Sequence, residues 1–180
     1  MVYVGAIGSP WGIHPERGVF KTTDGGKTWN KILFQNNKTG VADMVMDPTN
    51  PNKLLVAMWE HKRDPWFFKS GGEGSGLFIT HDGGNTWEER TDEDGLPKGE
   101  LGRIGLSIAP NKPNIIYALV EAKKNALYKS EDGGFNWKKI NDKKKQTNLF
   151  DVVSETESPY EQYADDIIRY FGFSEINTNP

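Results

Sequence analysis

The chain is 180 residues long, the size of one domain, and its 36% hydrophobic and 12% aromatic content is enough to bury a core. Its 22 basic and 25 acidic side chains leave a net charge of −3, which excludes a strong electrostatic hold on nucleic acid or an anionic membrane. With no cysteine there is no disulfide, thiol catalysis or thiolate zinc site, and no apolar run approaches the roughly 18–20 residues of a membrane span.

Twenty Gly and ten Pro point to many tight turns rather than long helices. The opening Val2–Ile7 reads as a β-strand, with no basic stretch and no cleavage-like end, so no signal peptide is expected there. A chain that starts within a strand is expected to be a piece of something longer. Strands follow at Gly18–Thr22 and Thr28–Leu33, then at Val41–Met46, Leu54–Glu60, Gly76–Thr80 and Thr86–Arg90. A third group is expected at Arg103–Ile108, Ile115–Glu121, Ala126–Ser130 and Asn136–Ile140.

A repeat organises these strands. Thr22-Thr23-Asp24-Gly25-Gly26-Lys27-Thr28-Trp29 recurs as Thr80-His81-Asp82-Gly83-Gly84-Asn85-Thr86-Trp87 and as Ser130-Glu131-Asp132-Gly133-Gly134-Phe135-Asn136-Trp137. A second motif keeps the same order: Asp47-Pro48-Thr49-Asn50-Pro51-Asn52 before one apolar strand, Ala109-Pro110-Asn111-Lys112-Pro113-Asn114 before another. Asp-Gly and Gly-Gly supply the positive φ of a tight hairpin, and the Asp and the preceding Thr or Ser can accept backbone N–H groups across it. The Trp pins the turn to its neighbour. A calcium loop would need several close oxygen ligands, and each box repeats a single carboxylate, so Asp24, Gly26, Trp29, Asp82, Gly84, Trp87, Asp132, Gly134 and Trp137 are assigned a structural role. Asn136 stands where the other boxes carry Thr, and is expected to weaken one turn bond.

These boxes resemble the Asp-box (BNR) repeats of sialidases, xyloglucan-active glycosidases and the sortilin ectodomain. Trp11-Gly12, Glu16-Arg17-Gly18-Val19-Phe20 and Trp59-Glu60-His61-Lys62-Arg63 are similar to the bacterial BNR-repeat proteins with a sortilin-like N-terminal domain, often called glycosyl hydrolases. Over about residues 2–142 the resemblance implies an all-β, partial β-propeller of four-stranded blades, with each Asp box between the third and fourth strands. Two blades are complete. Residues 2–33 supply a third without its innermost strand, so the remaining blades of a parent chain, or other copies, are expected to close the ring. The resemblance also implies a secreted or periplasmic parent.

The domain scheme is a propeller segment over 1–142, a linker over 143–158, an amphipathic helix over 159–173 and a tail over 174–180. The helix rests on Ser158-Pro159-Tyr160-Glu161 as a capping box, and on Tyr160, Tyr163, Ala164, Ile167, Ile168 and Phe171 falling on one face. Its apolar face is expected to cap the sheets or to bind a partner.

Ligand sites are expected on the rim opposite the Asp boxes, where the segment His61–Ser75 is longer than a connection needs and reads as a functional loop. Trp11, Trp66 and Phe67 offer flat faces for a sugar ring, and His14, Arg17, His61 and Arg63 offer hydrogen bonds. The competing reading pairs Arg17 and Arg63 with nearby carboxylates and uses Trp11 and Trp66 to lid the core. A glycosidase would draw its two carboxylates from Glu16, Asp64, Glu73 and Glu100. The arginines do not suit a sialidase, the scattered His14, His61 and His81 do not suggest a metal site, and Gly71–Gly76 lacks the ending of a phosphate loop. No cofactor is expected. The favoured function is glycan or peptide binding, with glycoside hydrolysis as the alternative.

Overall fold

The computed structural model describes residues 1–141 of the chain; the expected linker, helix and tail lie outside the described residues. Twelve strands form three antiparallel sheets, and no α-helix occurs among the described residues. The first sheet runs β1 (Val2–Ala6), β2 (Gly18–Thr22), β3 (Asn30–Leu33) in that order. The second holds β4 (Thr39–Asp47), β5 (Asn50–Asp64), β7 (Gly76–Thr80) and β8 (Glu88–Arg90), with β6 (Phe67–Ser70) paired to the far end of β5. The third holds β9 (Ile104–Ile108), β10 (Ile116–Val120), β11 (Ala126–Ser130) and β12 (Lys138–Lys139). The described residues are all-β and adopt the strand sets expected from the repeat. The segment after His61 differs: it is not an irregular loop, because β5 continues to Asp64 and returns as β6 through the two-residue tip Pro65-Trp66.

The core is divided by the parity of β5. Leu55 and Ala57 face the third sheet and pack with Leu77, Ile79, Ile104, Ile116, Ala118 and Val120. Val56 and Met58 face the first sheet and pack with Val19, Leu33, Val41 and Phe78. A strand buried on both faces is necessarily a continuous apolar run, which is why Leu54–Trp59 shows no alternation.

The three boxes close the β2–β3, β7–β8 and β11–β12 hairpins. Their glycine pairs adopt φ of 78° and 91°, 72° and 90°, and 85° and 102°, a region that side chains disfavour. In the second box the Asp82 carboxylate accepts the Thr86 N–H (2.9 Å), the Thr86 hydroxyl (2.7 Å) and the Thr80 hydroxyl (2.8 Å), while Thr80 Oγ1 accepts the Gly84 N–H (2.9 Å). Asp24 does the same with Thr28 and Thr22. The third box corrects the expectation for Asn136: its Nδ2 donates to Asp132 Oδ2 at 2.7 Å and replaces the threonine hydroxyl.

These bonds hold the Asp24 and Asp82 carboxyls well below the usual carboxylate range, led by the Thr28 hydroxyl for Asp24 and by the Thr86 N–H for Asp82. At Asp132 burial acts upward, but the Asn136, Ser130 and Phe135 donors outweigh it and set the value at about 2. In the unfolded chain such groups titrate near about 4, so below that pH the unfolded chain binds more protons and stability rises with pH. The boxes therefore stabilise fully above about pH 5 and lose that contribution as pH falls through about 4 towards 2. A melt followed by circular dichroism is expected to show this loss, with a shallower acid slope for Asp82→Asn. Equal slopes for the two proteins would refute the assignment.

Candidate functional site

The second and third box turns lie beside the start of β5 and the approach to β10: the Gly83 N–H donates to Asn52 O at 2.8 Å and the Gly133 N–H to Asn114 O at 2.9 Å. The opposite end of β5 carries the β5–β6 hairpin. Against it lies the connection between β1 and β2, tied by the Arg63 N–H to Pro10 O (2.7 Å), with the His14 N–H on Asn37 O (2.9 Å).

Arg17 organises this end. It is fully buried, and its guanidinium donates to the carbonyls of Ser9, Gly12 and Lys38. Among the described residues it pairs with no carboxylate, and it is sealed from solvent; its role is to hold the 9–17 segment against the start of β4. Burial lowers its pKa and the nearby Glu60 opposes that. His61 lies beside it, 4% exposed, with Nδ1 at 3.5 Å from Arg17 Nη1. Burial lowers the His61 pKa, against its contact with Trp59 O, and the Arg17 charge lowers it further, so the ring is neutral at pH 7. The His61 ring stacks on Trp59 with centroids 4.2 Å apart, and the Arg103 guanidinium lies 5.6 Å from the Trp59 ring on the third sheet's side.

Around these groups Gly12, Ile13, Lys38, Glu60, His61, Lys62 and Lys69 line a cavity of about 150 Å³. Glu60 was not among the expected carboxylates. Its side chain is 10% exposed, takes Lys69 Nζ at 3.4 Å and the Gly74 N–H at 3.4 Å, and a Cβ on Gly72 would fall 2.4 Å from its Cδ. A hydrogen-bond chain continues to the third sheet, from Trp59 Nε1 to Ser70 Oγ (2.9 Å) and from Ser70 Oγ to Glu121 Oε2 (2.6 Å), which also accepts the Arg103 N–H (2.8 Å).

The aromatic candidates do not lid the core. Trp66, at the two-residue hairpin tip, is 94% exposed and the adjoining Phe67 64%, while Trp11, in the connection between β1 and β2, is 63% exposed. Among the described residues Arg63 pairs with no carboxylate either; its guanidinium lies 5.1 Å from the Phe68 ring. His14 Nδ1 accepts the Glu16 N–H at 3.3 Å, and Glu16 is exposed. Asp64 forms an ion pair with Lys62 at 2.7 Å. Glu73 and Glu100 line a separate cleft of about 370 Å³ with Glu89, Arg90 and Asp92. Of the four candidate carboxylates these two share a cleft. Among the described residues no group of three or more His, Asp or Glu is placed to hold a metal ion.

The chain is similar to xyloglucanase Xgh74A of Acetivibrio thermocellus, with 27% identity over 132 residues covering 68% of this chain and 15% of that protein. Its fold is similar to the GH74 xyloglucanase of Xanthomonas campestris at a TM-score of 0.52 and 17% identity, covering 69% of this chain and 17% of that one. The chain thus spans less than a fifth of the length of these relatives. The family model for sortilin (neurotensin receptor 3) matches residues 17–167, which take in the buried Arg17, all three boxes and the β5–β6 hairpin. The chain belongs to the Sortilin-Vps10 family.

Proposed function

We propose that the three sheets are successive blades of a propeller, the first without its innermost strand, and that the chain binds a glycan or an extended polypeptide on the rim opposite the Asp boxes. One observation carries the reading: a cavity floored by Glu60 and His61 lies on the same rim as three exposed aromatics, Trp11, Trp66 and Phe67. Flat apolar faces beside a few fixed polar groups are how small sites combine affinity with orientation. The two xyloglucanases among its relatives favour a glycan as the first ligand to test.

Titration of the chain with xyloglucan oligosaccharides and with unstructured peptides, followed by tryptophan fluorescence and calorimetry, is the direct test. Trp66→Ala and Trp11→Ala are each expected to weaken binding about tenfold, the worth of one aromatic contact, with an unchanged melt. Affinity that survives both substitutions would place the ligand elsewhere. A glycoside hydrolase remains the second reading, because Glu73 and Glu100 line one cleft. It requires release of reducing ends that Glu73→Gln or Glu100→Gln abolishes.

A further inference from the structure

The cavity beside Glu60 and His61 is built wholly from residues 12–69, in the connection between β1 and β2, the residue before β4 and the β5–β6 hairpin. Its walls are unevenly charged: Lys38, Lys62 and Lys69 line it with a single carboxylate, Glu60. Lys69 lies 3.4 Å from Glu60, and Lys62 is taken up by Asp64 at 2.7 Å in an exposed pair. Lys38 is different. Its N–H donates to Asn36 Oδ1 at 2.8 Å, and its carbonyl accepts Arg17 Nη1 and the His61 N–H, so its backbone is fixed in the wall. Among the described residues its ammonium has no acceptor.

A second cation stands beside His61. Arg17 is fully buried, is held by carbonyls, and lies 3.5 Å from His61 Nδ1. Glu60 is the acid that opposes its charge, and Glu60 is shared with Lys69. A buried charge is screened less by solvent and salt than an exposed one, so the guanidinium adds to the potential inside the cavity. The balance is an excess of positive charge.

The wall also asks for donors. As a carboxylate Glu60 only accepts, and its contacts with Lys69 Nζ and the Gly74 N–H are both long, at 3.4 Å, which leaves capacity for more. His61 Nδ1 lies 3.3 Å from Trp59 O, a group that only accepts, so Nδ1 carries the ring proton and Nε2 is an acceptor. Among the described residues Nε2 has no hydrogen-bond partner. Ile13, 69% exposed, adds an apolar surface to the same cavity. A fitting ligand therefore brings an anion, neighbouring hydroxyls and a flat C–H face, on a body that suits about 150 Å³. A sugar ring bearing a carboxylate has all of these. The end of a peptide brings the anion without the row of hydroxyls beside it.

We propose that this cavity binds a uronic acid residue of an acidic glycan. The carboxylate pairs with Lys38, with Lys62 beside it; ring hydroxyls donate to Glu60 and His61 Nε2, and the C–H face lies on Ile13. The assignment rests on the glycan reading above and narrows it to one class of glycan.

Calorimetric titration of the full chain with trigalacturonate and with its fully methyl-esterified form tests this, because the two differ in charge and little else. The free acid is expected to bind at least about tenfold more tightly, with an advantage that shrinks as salt rises. Lys38→Gln, an exposed change expected to leave the melt as it is, should remove most of that advantage and leave the affinity for the ester unaltered. Trp66→Ala should weaken acid and ester alike, which separates the aromatic rim from the cavity. Equal affinity for acid and ester would overturn the proposal and leave the glycan reading standing. A preference for the acid that neither Lys38→Gln nor Lys62→Gln reduces would overturn it as well. Binding of a peptide alone, lost when its C-terminal carboxylate is amidated, would give the cavity to polypeptides instead. If no saccharide binds, xyloglucan oligosaccharides included, both the proposal and the glycan reading fail.

Discussion

Leu55→Ala is expected to destabilise the chain by about 2–5 kcal/mol. Leu55 is fully buried and stands where three elements meet: its own β5, the apolar residues of the third sheet, and the Gly134 backbone of the third box. Truncation removes the transfer energy of the lost methyl groups and leaves a cavity that the sheets on either side are too constrained to close. For a chain of this size the loss corresponds to a melting temperature lower by on the order of 5–15 °C. Thermal denaturation by circular dichroism measures it directly. Val56→Ala, on the other face of the same strand, tests the division of the core, because it should loosen the first sheet's packing and leave the third box in place. A fall of under about 1 kcal/mol for Leu55→Ala would mean that the second and third sheets are not packed as described.

Arg17→Met is expected to have a smaller effect on stability and a larger one on binding. The substitution keeps much of the aliphatic volume but strips donors from the carbonyls of Ser9, Gly12 and Lys38. The three bonds are part-buried, so water can partly replace the lost donors, and the loss is expected to be about 1–3 kcal/mol in all. The arginine already gives up something in this position, since its Nε–H is buried without an acceptor among the described residues. The 9–17 segment, no longer pinned to β4, then ceases to wall the cavity beside Glu60 and His61. Ligand affinity should fall further than with Trp66→Ala, and amide exchange should accelerate over residues 9–17 while the second core keeps its protection. Unchanged exchange in that segment would refute the positioning role.

The boxes were legible in the sequence because their physics is local: a Gly-Gly pair at positive φ, a hydroxyl two residues before the Asp and another donor four residues after it fix the turn without outside help. That is also why Asn136 was misjudged. An amide Nδ2 reaches the carboxylate as well as a hydroxyl does, which depends on geometry and not on residue class. The hairpin was hidden because Pro65 and Gly71-Gly72 look like loop punctuation, while the pairing of His61 with Ser70 depends on a tip that only the fold places. Glu60 was hidden for a similar reason. It stands at the end of an apolar run, and its seclusion comes from Gly72 and Gly74, more than ten residues further on. Arg17 shows a limit of composition-based reasoning: an arginine near carboxylates invites an ion pair, yet here backbone carbonyls claim it.

The 15 residues of β5 have a further consequence for how relatives of this chain can vary in length. From Leu55 to Met58, odd positions serve one core and even positions the other. One inserted or deleted residue there would exchange the two sets and spoil both junctions together. Beyond His61 the same strand serves neither core, and Pro65 and Trp66 at the tip are exposed among the described residues. Insertions are therefore tolerated at one end of a single strand and forbidden at the other, so new recognition surfaces can be grafted at the hairpin without renegotiating the fold.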